Sequence, residues 1–244
     1  MKTYLTKGYD EMSQVAAYIL LNNVSENPRA VIGLSAGTTL VGVYHELAAA
    51  YKKRNFDFSN IRTVNLDEFY PISPKNQQSN RYFMDKYLFE RINIKEENIF
   101  FPDGMTEEPE RFCEEYEKKI ESLGGIDVML LGLGAECAIG FNEPSESSLE
   151  ATTHISNLSD KMIRGATQFF APNDKIPRAA IAMGIETIFK ARHIVILATD
   201  NRRRNDVRNF VSGVVSESYP ATLFTKHKNI TFICPEDIYP KENI

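Results

Sequence analysis

The chain has 244 residues, 43% hydrophobic and 25% charged, with a net charge of −5. These are globular values that exclude a disordered chain, and the acidic balance argues against a nucleic-acid partner, which draws on surplus Lys and Arg. With no run near the roughly 18 apolar residues of a membrane helix and no apolar leader behind Lys2, a cytoplasmic protein without membrane contact is expected.

Residues 1–244 read as a single domain, because α/β domains of roughly 200–250 residues are routine. Met12, Val15, Ala16, Ile19 and Leu20 follow helical spacing, and Ala30-Val31-Ile32-Gly33-Leu34 behind Pro28 predicts the first strand. A small-residue loop follows, and then Leu40, Val43, Tyr44, Leu47 and Tyr51 mark one face of a second helix. Thr63-Val64-Asn65-Leu66 predicts a strand stopped by Asp67 and Glu68. Thr106, with Glu107, Glu108 and Pro109 behind it, predicts a helix start, and Gly124-Gly125 its stop. The unbroken apolar run Ile126-Asp127-Val128-Met129-Leu130-Leu131 fits a central parallel strand covered on both faces. Further strands are predicted at 179–183, 193–198 and 230–234, with helices at 185–191 and 201–213, while 145–177 gives no clear pattern. The alternation predicts an α/β fold with a parallel sheet.

Open parallel sheets bind ligands beyond the carboxyl ends of their strands, and three such ends carry chemistry. In the 33–39 loop, Ser35, Gly37, Thr38 and Thr39 offer hydroxyls and backbone N–H groups to a phosphate; an ordinary capped turn would look the same. Asp67 and Glu68 place two acids at one strand end, where a desolvated carboxylate suits proton abstraction and a helix cap or surface ion pair is the plain alternative. The third end, residues 132–144, delivers Glu136, Asn142 and Glu143. Gly132-Leu133-Gly134 begins like a dinucleotide motif, but Cys137 stands where its third glycine belongs, so a nicotinamide or flavin cofactor is not expected.

Cys113, Cys137 and Cys234 have no paired spacing, so free thiols are expected, with no disulfide and no metal site. Within Arg202-Arg203-Arg204, an arginine would clamp a phosphate if the sheet order set it beside the 33–39 loop; otherwise the run is a solvated face. His154 and His227 lie in loop-like contexts.

Taken together, the 33–39 loop, Asn65-Leu66-Asp67-Glu68-Phe69 and the 132–144 segment resemble, in order and spacing, the glucosamine-6-phosphate deaminase/isomerase family and its 6-phosphogluconolactonase cousins. Phe141-Asn142-Glu143-Pro144 is similar to the deaminase branch. His154-Ile155-Ser156 and Pro220-Ala221-Thr222 lean toward the galactosamine-6-phosphate enzymes. The resemblance implies a Rossmann-like three-layer α/β sandwich with a mostly parallel sheet. It also implies a cofactor-free conversion of a phosphorylated amino sugar to a ketose phosphate with release of ammonia, and it is compatible with a homo-oligomer.

Under that resemblance Asp67 moves the proton between C1 and C2 and Glu143 supports the ring-opening group. The 33–39 loop cradles the phosphate, and Arg203 stands where a lysine usually holds it. Family members usually read Gly-x-Gly-x-Asp-Gly-His in the third motif, whereas this chain has Glu136, Cys137 and Ala138 at the last three positions. Gln168 falls where many members carry a phosphate-binding arginine. Ala138 cannot transfer a proton, so either Glu136 or His154 takes over, or the sugar enters already open, or the chain is a sugar-phosphate sensor. A lactonase is the third expectation.

Overall fold

The computed structural model describes residues 1–53, 56–144, 149–167, 170, 174–199 and 201–241. In chain order its strands and helices are β1 (Lys2–Thr6), α1 (Tyr9–Glu26), β2 (Val31–Leu34), α2 (Val41–Lys52), β3 (Arg62–Asn65), β4 (Asp67–Tyr70), α3 (Asn80–Tyr87), β5 (Ile99–Phe100), α4 (Pro109–Ser122), β6 (Val128–Gly132), β7 (His154–Asn157), α5 (Asp160–Thr167), β8 (Ala179–Ala182), α6 (Ile185–Phe189), β9 (Ile194–Leu197), α7 (Arg204–Val211) and β10 (Ile230–Pro235).

The main sheet runs β1-β10-β9-β6-β2-β3-β5, every pair parallel. Successive side chains of its central strands alternate between two cores. Met129 and Leu131 pack with Tyr116 and Ile120 of α4, Ile188 of α6 and Phe210 of α7, whereas Val128 and Leu130 pack with Met12 and Leu20 of α1, Tyr44 and Leu47 of α2, and Met84 of α3. Helices on both faces make a three-layer α/β/α sandwich, which is why β6 shows no polar alternation.

Several sequence expectations need correction. The strand expected at 179–183 lies outside the main sheet: β8 is the middle of a three-stranded antiparallel sheet, β4-β8-β7. Asp67 and Glu68 do not end a strand but begin β4. The chain changes sheets at Leu66, whose N–H donates to Leu34 O in the main sheet and whose carbonyl accepts from Met183 N beside the small one (both 2.8 Å). α4 begins at Pro109 rather than Thr106, using the proline as its first residue. β1 is an N-terminal strand that the helical reading of the first twenty residues passed over.

The chain lays β2, β3 and β5 down in one direction and then returns to the other side of β2 for β6. The crevice between the carboxyl ends of β2 and β6 is therefore the topological switch point, the ordinary ligand position in such sheets. Gly33 belongs to this close approach: a Cβ there would lie 2.1 Å from Met129 Sδ of β6.

Candidate functional site

Asp67 opens β4 two residues past the end of β3, at a point pinned from below. The Tyr116 hydroxyl donates to Asn65 O (2.8 Å) and accepts from Asn65 N (2.9 Å), tying the strand end to α4. Asp67 is 5% exposed. Its Oδ1 accepts from Asn80 Nδ2 (2.8 Å) and its Oδ2 from Phe141 N (3.1 Å). Burial, reinforced by the adjacent Glu68 carboxylate, pushes its pKa up to about 7 against those two hydrogen bonds. Gly140 makes room for it, since a Cβ there would stand 2.0 Å from Oδ2, and its φ of 55° also favours glycine.

Glu68 points the other way and is the helix cap that the sequence left open as an alternative. It accepts from Phe69 N (2.9 Å), Ser79 Oγ (2.7 Å), Asn80 N (2.9 Å) and Arg81 N (2.9 Å), so it closes the N-terminal turn of α3. Burial raises its pKa and these donors pull it back. By fixing Asn80, Glu68 helps to place the side chain that holds Asp67.

Beyond β2, Gly37 has a φ of 144° and open space where a Cβ would be. The buried Ser35 hydroxyl donates to Leu130 O (3.1 Å), so its proton is spent inside the fold. Exposed Thr38 and half-buried Thr39 remain on the rim. Thr39 borders Gly132, where a Cβ would lie 3.5 Å from its own, so this loop and the β6 turn line one crevice.

The β6 turn is bent through two left-handed residues, Glu136 (φ 55°) and Cys137 (φ 58°). The second is the position that the resemblance assigns to glycine. The Glu136 side chain, 53% exposed, pairs with Lys161 Nζ of α5 at 2.6 Å. Cys137 is fully buried with its pKa pushed up to about 12 by desolvation first and Asp206 second, an inert thiol. Ala138 is 4% exposed and brings only a methyl group. Glu143 Oε1 accepts from Ser159 N (3.0 Å) and its Oε2 from Ser159 Oγ, at the entrance to α5.

Arg203 sits at the start of α7 and donates from Nη1 to Asp206 Oδ2 (3.1 Å). The sheet order does not set it beside the 33–39 loop, because β6 lies between β9 and β2; the two flank the 132–138 turn from opposite sides. His154 is not in a loop but opens β7. Asp67, Ala182 and His154 face one another across the small sheet, which leaves His154 two strand spacings, about 10 Å, from Asp67. Its Nδ1 lies 3.0 Å from Thr152 O. A cleft beyond Phe141 is lined by Glu143, Glu150, His154 and Ser159. Gln168 lies outside the described residues.

The family model for glucosamine-6-phosphate isomerases/6-phosphogluconolactonase matches residues 8–233. This chain belongs to that family. The chain is 40% identical over 247 residues to the glucosamine-6-phosphate deaminase of Thermoanaerobacter sp. (strain X514), with 100% of this chain and 97% of the relative aligned. The enzyme of the same name from Clostridium perfringens (strain 13 / Type A) is 41% identical over 237 residues, covering 97% and 98%. Among solved structures, a monomeric glucosamine-6-phosphate deaminase superposes with a TM-score of 0.93 at 34% identity over 98% of both chains. The 6-phosphogluconolactonase of Trypanosoma cruzi shares the fold alone, with a TM-score of 0.73 at 20% identity over 97% and 95%.

Within the family frame, sequence reasoning named Asp67 and Glu143 but missed the groups that hold them. Asn80 and Ser159 sit in polar stretches 13 and 16 residues downstream of the acids they serve. Ser79 ahead of Asn80 is a cap signal that would have marked one of them. Asp206, which bonds both the Glu136 turn and Arg203, had no signal of its own.

Proposed function

We propose that this chain converts a 2-amino-2-deoxyhexose 6-phosphate and water into a ketohexose 6-phosphate and ammonia. The observation that carries the reading is the Asp67 carboxyl beside the switch point, buried, held by two donors and poised near neutral pH. A base whose pKa lies near the working pH can both take and return a proton. Asp67 removes the C2 proton of the open-chain amino aldehyde and delivers it to C1, while a second proton passes from the amino nitrogen to the C1 oxygen. The resulting C2 imine is hydrolysed by water, which releases ammonia and leaves the ketone. Gly37, Thr38 and Thr39 on one side of the β6 turn and Arg203 on the other supply donors for the phosphate, and Glu143 supplies a carboxylate at the entrance to α5. The deaminase relatives over the full length of the chain support the same chemistry.

Ammonia release with glucosamine-6-phosphate and galactosamine-6-phosphate tests the proposal. The wild type turns over at least one of them and Asp67→Asn loses at least about 10²-fold in kcat; no wild-type turnover on either sugar sinks it. A second reading rests on Ala138, which places no titratable group at that point of the β6 turn. A sugar-phosphate sensor would show a melting temperature raised by hexose phosphates without conversion of any.

A further inference from the structure

Glu136 and Cys137 are consecutive left-handed residues, and neither is a glycine. Such a turn is costly and persists only where its surroundings hold it. Asp206, in the first turn of α7 and 8% exposed, grips its backbone. Its Oδ1 accepts from Glu136 N at 2.7 Å, and its backbone carbonyl accepts from Cys137 Sγ at 3.2 Å. The other carboxylate oxygen, Oδ2, takes Arg203 Nη1 at 3.1 Å. One buried carboxylate therefore grips the altered turn with one oxygen and the guanidinium with the other.

We propose that Asp206 is a positioning residue with two separable tasks: Oδ2 orients Arg203 for the substrate phosphate, and Oδ1 fixes the Glu136–Ala138 turn beside the reacting carbons. This rests on the proposed reaction and on Arg203 as a phosphate ligand. A forked guanidinium held through one nitrogen keeps its remaining donors for an anion and loses less freedom when the anion arrives. The backbone clamp is needed because no glycine relieves the turn.

The two tasks separate under substitution. Asp206→Asn retains a carbonyl oxygen for Glu136 N and replaces the partner of Arg203 by an amide that cannot accept from it. Its KM for the amino-sugar phosphate rises about tenfold, the scale of one charge-assisted hydrogen bond, while kcat stays within about twofold. Asp206→Ala releases both, so KM rises equally and kcat falls a further ten- to hundredfold. Inorganic phosphate, followed by thermal shift, provides a readout independent of turnover: its affinity weakens about tenfold in Asp206→Asn and equally in Asp206→Ala. Equal losses of kcat in the two variants, or phosphate binding unchanged or tightened in Asp206→Asn, would overturn the inference. A wild type that turns over the sugar while phosphate affinity ignores Asp206 leaves the reaction standing and removes this proposal. A wild type with no turnover, but with phosphate binding weakened in both variants, removes the reaction and leaves the Arg203 task.

Discussion

Asp67 receives two side-chain hydrogen bonds and Glu68 four, and that difference divides the work of two adjacent acids. Four donors make Glu68 a cap; two donors and deep burial leave Asp67 with a proton that it holds until about pH 7. A carboxyl whose pKa is higher folded than unfolded binds its proton more tightly in the folded state. Its favourable contribution is therefore fully present below about pH 4 and is lost as pH rises to about 7. Asp67→Asn removes that loss, so urea denaturation should find it less stable than wild type near pH 4, where only the cost of the new amide shows, and more stable at pH 8. The gain should be about 1–3 kcal/mol, less than the roughly 4 kcal/mol of the full proton linkage because the new amide must be accommodated against Asn80. The wild-type kcat/KM should show an acid limb near pH 7, since the base is active only when ionised. Gly140→Ala tests the same pocket from outside. Its Cβ would meet Asp67 Oδ2 at 2.0 Å and Leu66 Cδ2 at 2.6 Å, on a backbone with φ 55°. A cost of at least about 2 kcal/mol in denaturation and a fall in kcat are expected, and a neutral variant would show that the loop yields.

At the scale of elements, α5 ties the third strand end together: its entrance carries Ser159, bonded to Glu143, and its first turn carries Lys161, bonded to Glu136. Ser159 Oγ also accepts from Met162 N (3.1 Å), so the hydroxyl caps the helix. Ser159→Ala should cost about 1 kcal/mol in stability and lower kcat by freeing Glu143. Stability reduced with kinetics unchanged would make Glu143 a helix anchor only. How much of this was legible varies by element. β2, β6 and β9 show in the sequence because burial on both faces leaves uninterrupted apolar runs, and β10 follows with Thr231 as its one polar residue, while β3 places Val64 between the buried polar Thr63 and Asn65. β4 was hidden because Asp67 and Glu68 look like a stop, and they are tolerated in a strand only through donors from Asn80, Ser79, Arg81 and Phe141, which no local window contains. The acids at 67, 136 and 143 were visible as residues, while the geometry that separates the proposed base, the ion pair and the helix anchor depends on contacts 13 to 74 residues apart.

For the whole molecule, the order of the main sheet makes its edge the first segment of the chain. β1 pairs with β10 over five residues, from Lys2 with Thr231 to Thr6 with Pro235, and all six residues of β10 are buried. The strand escapes notice in the sequence because an edge needs only one wet face, and Lys2-Thr3-Tyr4-Leu5-Thr6 mixes polar and apolar residues. Deleting residues 1–6 would strip β10 of one of its two parallel partners and open a row of backbone donors and acceptors beside an apolar core, a template for pairing with another chain. Several ladder hydrogen bonds at about 1 kcal/mol each would lower the melting temperature by roughly 5–10 °C in a chain of this size. Size-exclusion chromatography should show associated species that the full chain lacks. The switch point lies on the far side of β10, β9 and β6 from this edge, so kcat per folded molecule should remain within about twofold of wild type. A melting temperature within about 2 °C of the full chain, with a single monodisperse peak, would show that β1 is dispensable. A kcat that fell while the fold survived would place the N-terminal strand in contact with the site, against the strand order.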